Sequence, residues 1–226
     1  MVKATLASMR EAAASECNFG YYALLSGLDY PLKHASEIRS YFYSQPFRQH
    51  INRLDVEKSP EHYLKNLVRY NFRDGWLPWV LPDKVIRKVA SLALRPIRRV
   101  PPAGRQCTGS QWWALTDDCV RYILQFVDEH PEYERHYRYV WAPDEFFFQS
   151  IVENSPFRDE APPLIPYQGR GMWRTANFHV VHPSLSKIYT HGDYEHLLQS
   201  DRCFVRKVTS AQSAELLNRL DERLMV

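Results

Sequence analysis

The sequence predicts an α/β domain: a layered mixed sheet with flanking helices. Two observations lead there. Short apolar runs that stop at Gly, Pro or Ser alternate with stretches whose apolar residues recur every three to four positions, the alternation that builds layered α/β domains. The composition is 45% hydrophobic and 24% charged over 226 residues. A chain of that size can bury roughly 70–75% of its unfolded surface without a staple. A single domain spanning 1–226 is expected.

Taken in order, residues 1–14 read as an Ala-rich helix with Val2, Leu6, Met9 and Ala13 near one face. YYALL, residues 21–25, is a strand-length apolar run halted by Ser26-Gly27 and reads as a strand buried on both faces. The S-G-x-D-Y-P that follows, residues 26–31, reads as a turn, and helices are expected over 36–43 and 60–70. A loop holding Trp76, Pro78, Trp79 and Pro82 leads into a basic helix that ends at Pro96, Pro101 and Pro102. GSQWWALT, residues 109–116, reads as a turn and a strand, which would bury one of Trp112 and Trp113 and show the other. Thr116 is a good N-cap for a helix reaching about Glu129, with Asp117 and Asp118 in its first turn. Pro143-Asp144-Glu145 opens a buried, largely apolar helix, FFFQSIVEN. A proline-rich loop to about 171, strands over 178–181 and 202–208, and an amphipathic helix over 211–224 complete the chain. Nucleotide-binding α/β domains normally begin with a strand, whereas this sequence opens on a helix, so the first strands are expected to be missing in front.

Charge and cysteines exclude several classes. A net charge of +3 is too small to imply nucleic-acid binding. Residues 84–105 carry Lys84, Arg87, Lys88, Arg95, Arg98, Arg99 and Arg105 without one acid. That stretch is either a surface for anionic lipid or an anionic acceptor, giving peripheral membrane contact, or a solvated amphipathic helix. Cys17, Cys107, Cys119 and Cys203 form no C-x-x-C pair, which argues against a zinc ribbon or a redox dithiol. No run of about 18 apolar residues is present to span a membrane, and no signal-peptide pattern is seen.

Four segments carry the chemistry: LLSGLDYPLK (24–33), TGSQWWALT (108–116), APDEFFFQSIVENSPF (142–157) and HPSLSKIYTHGDYEHLLQSDRCFVRKV (182–208). In order and spacing the chain resembles the core-2/I-branching N-acetylglucosaminyltransferase and peptide O-xylosyltransferase family. The resemblance implies a GT-A-like, Rossmann-related fold, N-terminally truncated here because family members carry a βαβ region that cradles uridine. It implies an inverting transfer of GlcNAc or xylose from a UDP-sugar to a hydroxyl of a glycan, polysaccharide or protein. It also implies no cofactor and no metal. A bacterial member would be cytoplasmic or peripheral at the cytoplasmic membrane, a eukaryotic one in the Golgi lumen.

Residue by residue, Glu145 at a helix N-terminus reads as a carboxylate kept ionised by the helix dipole, and the resemblance makes it the general base. Its bland alternative is an ordinary capping residue, the role given to Asp144. Arg206 and Lys207 follow an apolar strand, and both reach one ligand only at a strand end or bulge; the resemblance puts them on the donor diphosphate in place of a metal. The resemblance puts sugar or acceptor contacts on this segment, so Trp112 or Trp113, with Gln111, is expected to line the cleft, although Gln111 stands where xylosyltransferases carry an Asp, and core packing competes for at least one Trp. Asp29 is placed for a sugar hydroxyl or, alternatively, for turn chemistry. Trp173, with Arg174, falls near a Trp-containing segment of the family. His179 and His182 are weak grounds for a metal. Adjacent Asp144 and Glu145 cannot flank a glycosidic bond at about 5–10 Å, which argues against a hydrolase. The competing reading is a non-catalytic carbohydrate- or nucleotide-binding remnant.

Overall fold

The computed structural model describes residues 1–59, 61–71, 89, 92–94, 96–165 and 177–225. Helix α1 (Val2–Ala14) is followed by β1 (Tyr21–Ala23), β2 (Asp29–Pro31), α2 (Ala35–Ser44), β3 (Leu54–Asp55), α3 (Glu61–Val68), β4 (Cys107–Thr108) and β5 (Ala114–Thr116). Then come α4 (Asp117–Glu129), α5 (Pro131–Tyr137), α6 (Phe147–Glu153), β6 (His179–Val181), α7 (Tyr194–Leu198), β7 (Phe204–Arg206) and α8 (Ala214–Leu224). The mixed α/β class is as the sequence predicts, but the strands are shorter.

β1 pairs antiparallel with β5, Tyr21 opposite Thr116 and Ala23 opposite Ala114. β3 pairs antiparallel with β4, and a bridge between His50 and Ala114 lays the chain before β3 against β5. The third sheet has the order β2-β7-β6. Its central strand β7 runs antiparallel to β2, with Asp29 opposite Arg206, and parallel to β6.

The main core lies between α1 and the α4–α6 group. α1 buries Val2, Leu6 and Met9 at helical spacing, and α4 answers with Cys119, Val120, Ile123, Leu124 and Val127. Each such side chain, fully buried, contributes about 1.5–3 kcal/mol. A second core, around Val205, Leu216 and Leu220, seats α8 against β7.

α6 is buried along its whole length, as expected, and its polar residues have specific work. Gln149 Nε2 donates to the Ser110 carbonyl (2.7 Å), Ser150 Oγ accepts from the Cys107 amide (2.9 Å), and Asn154 exchanges hydrogen bonds with the Arg105 backbone. These side chains pair backbone groups along 105–110 that no strand satisfies, which a buried backbone requires. Gly109 is needed there: a Cβ would stand 2.0 Å from the Asn52 carbonyl oxygen. At the C-terminal end of α6, Glu153 is buried where the helix dipole disfavours an anion. Arg53 compensates, bonding Glu153 at 2.7 Å and the carbonyls of Arg158 and Pro162.

Three local expectations are corrected and one is extended. β1 is half-buried rather than buried on both faces, and Leu25 beyond it is 40% exposed. The turn expected around Asp29 is present, its amide donating to the Ser26 carbonyl at 3.1 Å, and Asp29 also begins β2, opposite Arg206 of β7. Thr116 precedes α4 as expected but makes no side-chain cap, since its hydroxyl accepts from Gln49 Nε2 at 2.8 Å. Asp144 does not hold the N-cap position of α6, which Phe146 takes; it is buried in the one-turn 3-10 segment Pro143–Glu145 ahead of the helix.

The basic stretch divides. Arg99 turns inward, donating to the carbonyls of Leu67 and Arg69 and lying over the Tyr70 ring at 5.0 Å, while Arg105 bonds Asp55 at 2.9 Å. Arg98 is exposed. Lys84, Arg87, Lys88 and Arg95, together with the loop of Trp76 and Trp79, lie outside the described residues. Among the described residues no helix is long and apolar enough to cross a membrane. The four cysteines are free, and burial pushes the Cys107 thiol up to about 12 and Cys203 up to about 11.

Candidate active site

At the end of β7 a cation is built into the frame. Arg206 donates through Nη1 to Asp29 Oδ1 at 2.8 Å and to Ser26 Oγ. Its guanidinium lies over the Trp112 ring, 4.3 Å from the centroid, a cation–π contact of about 1–2 kcal/mol when partly desolvated. The Asp29 carboxylate is fully buried. Its second oxygen accepts from the Ser26 amide at 2.6 Å and stands 3.6 Å from His179 Nε2. Burial works to raise the Asp29 pKa, but His179, Arg206 and the Ser26 amide outweigh it and hold the carboxyl below its ordinary value. Lys207 follows immediately, half-buried, with its carbonyl held by the Tyr189 amide at 2.9 Å. The pair therefore sits at a strand end, the one regular place where neighbouring side chains can serve one ligand.

Trp112 and Trp113 both precede β5 rather than lying in it, so the strand alternation does not apply. Neither is the exposed indole expected: Trp112 is 7% exposed and Trp113 1%. Trp113 packs on Phe148, with ring centroids 5.2 Å apart. Trp112 gives its face to Arg206 and contacts the His179 ring. Gln111 is half-buried beside them. Trp173 and Arg174 lie outside the described residues.

Glu145 reaches the same loop from the other side. Ala142 adopts a left-handed conformation (φ 48°) that turns the chain into the Pro143–Glu145 segment. The Glu145 carbonyl then accepts from the Gly109 amide at 2.8 Å. Three residues on from Gly109 is Trp112. The loop 109–112 thus joins the Glu145 turn to the Arg206 cluster. The charge state departs from the sequence reading. Glu145 does not sit in the first turn of α6, whose first residue is Phe147. Burial, and then the neighbouring Asp144 charge, raise its pKa from 4.5 to about 7.

Sequence reasoning missed Ser26 and the place of His179. Both ring nitrogens of His179 are buried without a hydrogen-bond partner among the described residues, and Nε2 stands 3.6 Å from Asp29 Oδ2. The S-G-x-D spacing was the signal for Ser26, because a carboxylate three residues on can fold back to a backbone amide. Among the described residues no group of three or more His, Cys, Asp or Glu stands close enough to hold a metal ion. A cavity of about 450 Å³ lined by Tyr21, Tyr43, Arg48 and Thr116 opens at the other end of the β1–β5 pair, away from this cluster.

This mixed α/β frame is compatible with a glycosyltransferase. The family described as Core-2/I-Branching enzyme matches residues 1–161, and the chain belongs to it, which makes glycosyl transfer the broad class of its chemistry. The matched range contains Asp29, Gln111, Trp112, Trp113 and Glu145 and ends before Arg206 and Lys207. No curated protein matches the chain.

Proposed function

We propose that the chain is an inverting, GT-A-like glycosyltransferase that moves GlcNAc or xylose from a UDP-sugar to a hydroxyl of a glycan, polysaccharide or protein. One observation carries the reading. The loop 109–112 is bonded to the Glu145 main-chain carbonyl at one end and lies under Arg206 at the other, which supports a reading in which a proton acceptor and an anion partner serve one ligand. In the proposed reaction Glu145 takes the proton of the acceptor hydroxyl as its oxygen forms a bond to the anomeric carbon. The bond from that carbon to the diphosphate oxygen breaks, and its electron pair leaves on UDP. Arg206 and Lys207 neutralise the departing diphosphate, so the transfer proceeds without a metal. Gln111, with the edge of Trp112, is the proposed contact for the transferred sugar or the acceptor.

The test is a UDP-release screen over several UDP-sugars and acceptors, with and without EDTA. Glu145→Gln is expected to lower turnover by about two to four decades while leaving UDP binding largely intact. Arg206→Ala or Lys207→Ala should each weaken UDP binding by about 1.5–3 kcal/mol. Turnover that EDTA abolishes and Mn²⁺ restores would end the metal-free account. Tight UDP-sugar binding without release for any acceptor would favour a binding protein instead.

A further inference from the structure

We propose that Asp29 is a positioning residue for Arg206 rather than a ligand of the sugar. The proposal rests on the reading above, in which Arg206 meets the donor diphosphate, and it assigns how that cation is held. Asp29 and Arg206 face each other in the β2–β7 register, so the pair is fixed by strand pairing before any ligand arrives. Both carboxylate oxygens are engaged, one by Arg206 and one by the Ser26 amide, and the side chain is fully buried. No face of it is left for a sugar hydroxyl.

Arg206 is restrained on two further sides, by the Ser26 hydroxyl at the same nitrogen and by the Trp112 ring beneath. An arginine on its own loses about 2 kcal/mol of rotamer freedom when it clamps an anion. Here that freedom is already removed, with Nη1 committed to the protein. The Arg206 side chain is 13% exposed and its bonds among the described residues run through Nη1, so the proposal leaves the rest of the guanidinium, with neighbouring Lys207, to the ligand. An oxyanion there meets a planar, pre-set donor and a mobile ammonium, a combination suited to a diphosphate. Because Asp29 cancels the charge of Arg206, the excess positive charge of this cluster rests on Lys207.

The experiment measures UDP and UDP-GlcNAc affinities by calorimetry for wild type, Asp29→Asn, Ser26→Ala, Arg206→Ala and the Asp29→Asn/Arg206→Ala double variant. Asp29→Asn keeps the shape and the Ser26 amide contact but frees the guanidinium. It is expected to weaken both ligands by the same factor, about ten- to a hundredfold. The double variant should bind no more weakly than Arg206→Ala alone. Millimolar guanidinium should restore part of the UDP affinity of Arg206→Ala but not of the double variant, a rescue that a merely structural role of Asp29 would not produce.

Unchanged UDP affinity in Asp29→Asn with weakened UDP-GlcNAc makes Asp29 a sugar ligand and overturns the proposal alone. Unchanged UDP affinity in Arg206→Ala overturns both the proposal and the donor assignment beneath it. If Asp29→Asn fails to fold, Ser26→Ala carries the test, since it deletes one contact to the same nitrogen. A several-fold loss of UDP affinity supports the proposal, and wild-type affinity overturns it.

Discussion

Glu145 is the residue whose chemistry the structure changes most. A carboxylate raised to about 7 is a stronger base than an ordinary glutamate, yet it is half protonated at neutral pH. The proposed transfer needs the ionised form, so log kcat/KM should climb with unit slope up to about pH 7 and level off above it. The measurement is a pH–rate profile of UDP release; a flat profile between pH 5 and 8 would remove Glu145 as the base. In the sequence the place of Glu145 ahead of a buried helix was legible and its charge state was not. Helix-dipole reasoning places Glu145 in the first turn, where ionisation is favoured. The intervening 3-10 turn and the apolar packing around Phe146–Phe148 are tertiary facts that no local pattern carries.

At the scale of elements, α6 is the organiser. The sequence shows an apolar run opened by Pro-Asp-Glu, and burial along the whole helix follows from that. It does not show that Gln149, Ser150 and Asn154 pair the backbone of 105–110, because the partner lies about forty residues earlier and offers only main-chain groups. Ser150→Ala leaves the Cys107 amide unpaired and should cost about 1–3 kcal/mol, read as a melting temperature lower by about 2–12 °C for a chain of this length. Gly109→Ala is expected to be worse for activity than for stability. Its Cβ would collide with the Asn52 carbonyl, so the loop must move, and the loop carries both the Glu145 contact and Trp112. Arg53→Met strands Glu153 without its principal cation and should destabilise by about 3–5 kcal/mol, whereas the double variant Arg53→Met/Glu153→Gln should recover much of the loss.

Two groups give the whole molecule opposing proton linkages. Folding raises Glu145 from 4.5 to about 7, so the native state binds more protons and stability falls as pH rises through that window. Burial, followed by the Arg99 charge, lowers His136 from 6.5 to about 4, so the unfolded state binds more protons and stability falls as pH drops through nearly the same window. The two slopes offset, and melting temperature should be nearly level between pH 5 and 6.5 as far as these groups decide it. Asp29, Asp117 and Asp193, held below their ordinary range, act at more acid pH. Glu145→Gln should uncover acid lability of at most about 1.4 kcal/mol per pH unit, and His136→Gln should uncover the reverse slope. Parallel pH–melting curves for wild type and both variants would show that the two groups are not linked to folding. The fold class was readable at this scale because helix and strand periods survive in sequence. The order β2-β7-β6 was not, since it depends on pairing across most of the chain.

That order has a consequence for biosynthesis. β7 is the middle strand of its sheet, yet the ribosome delivers it after both neighbours, and the Asp29–Arg206 contact spans 177 positions. Until residue 206 emerges, β2 and β6 each present a bare edge to whatever strand is nearby, a template for mispairing with another nascent chain. The last strand to arrive both closes that gap and delivers the guanidinium to its carboxylate. Competence to hold an anion is therefore acquired at the same moment as protection from aggregation.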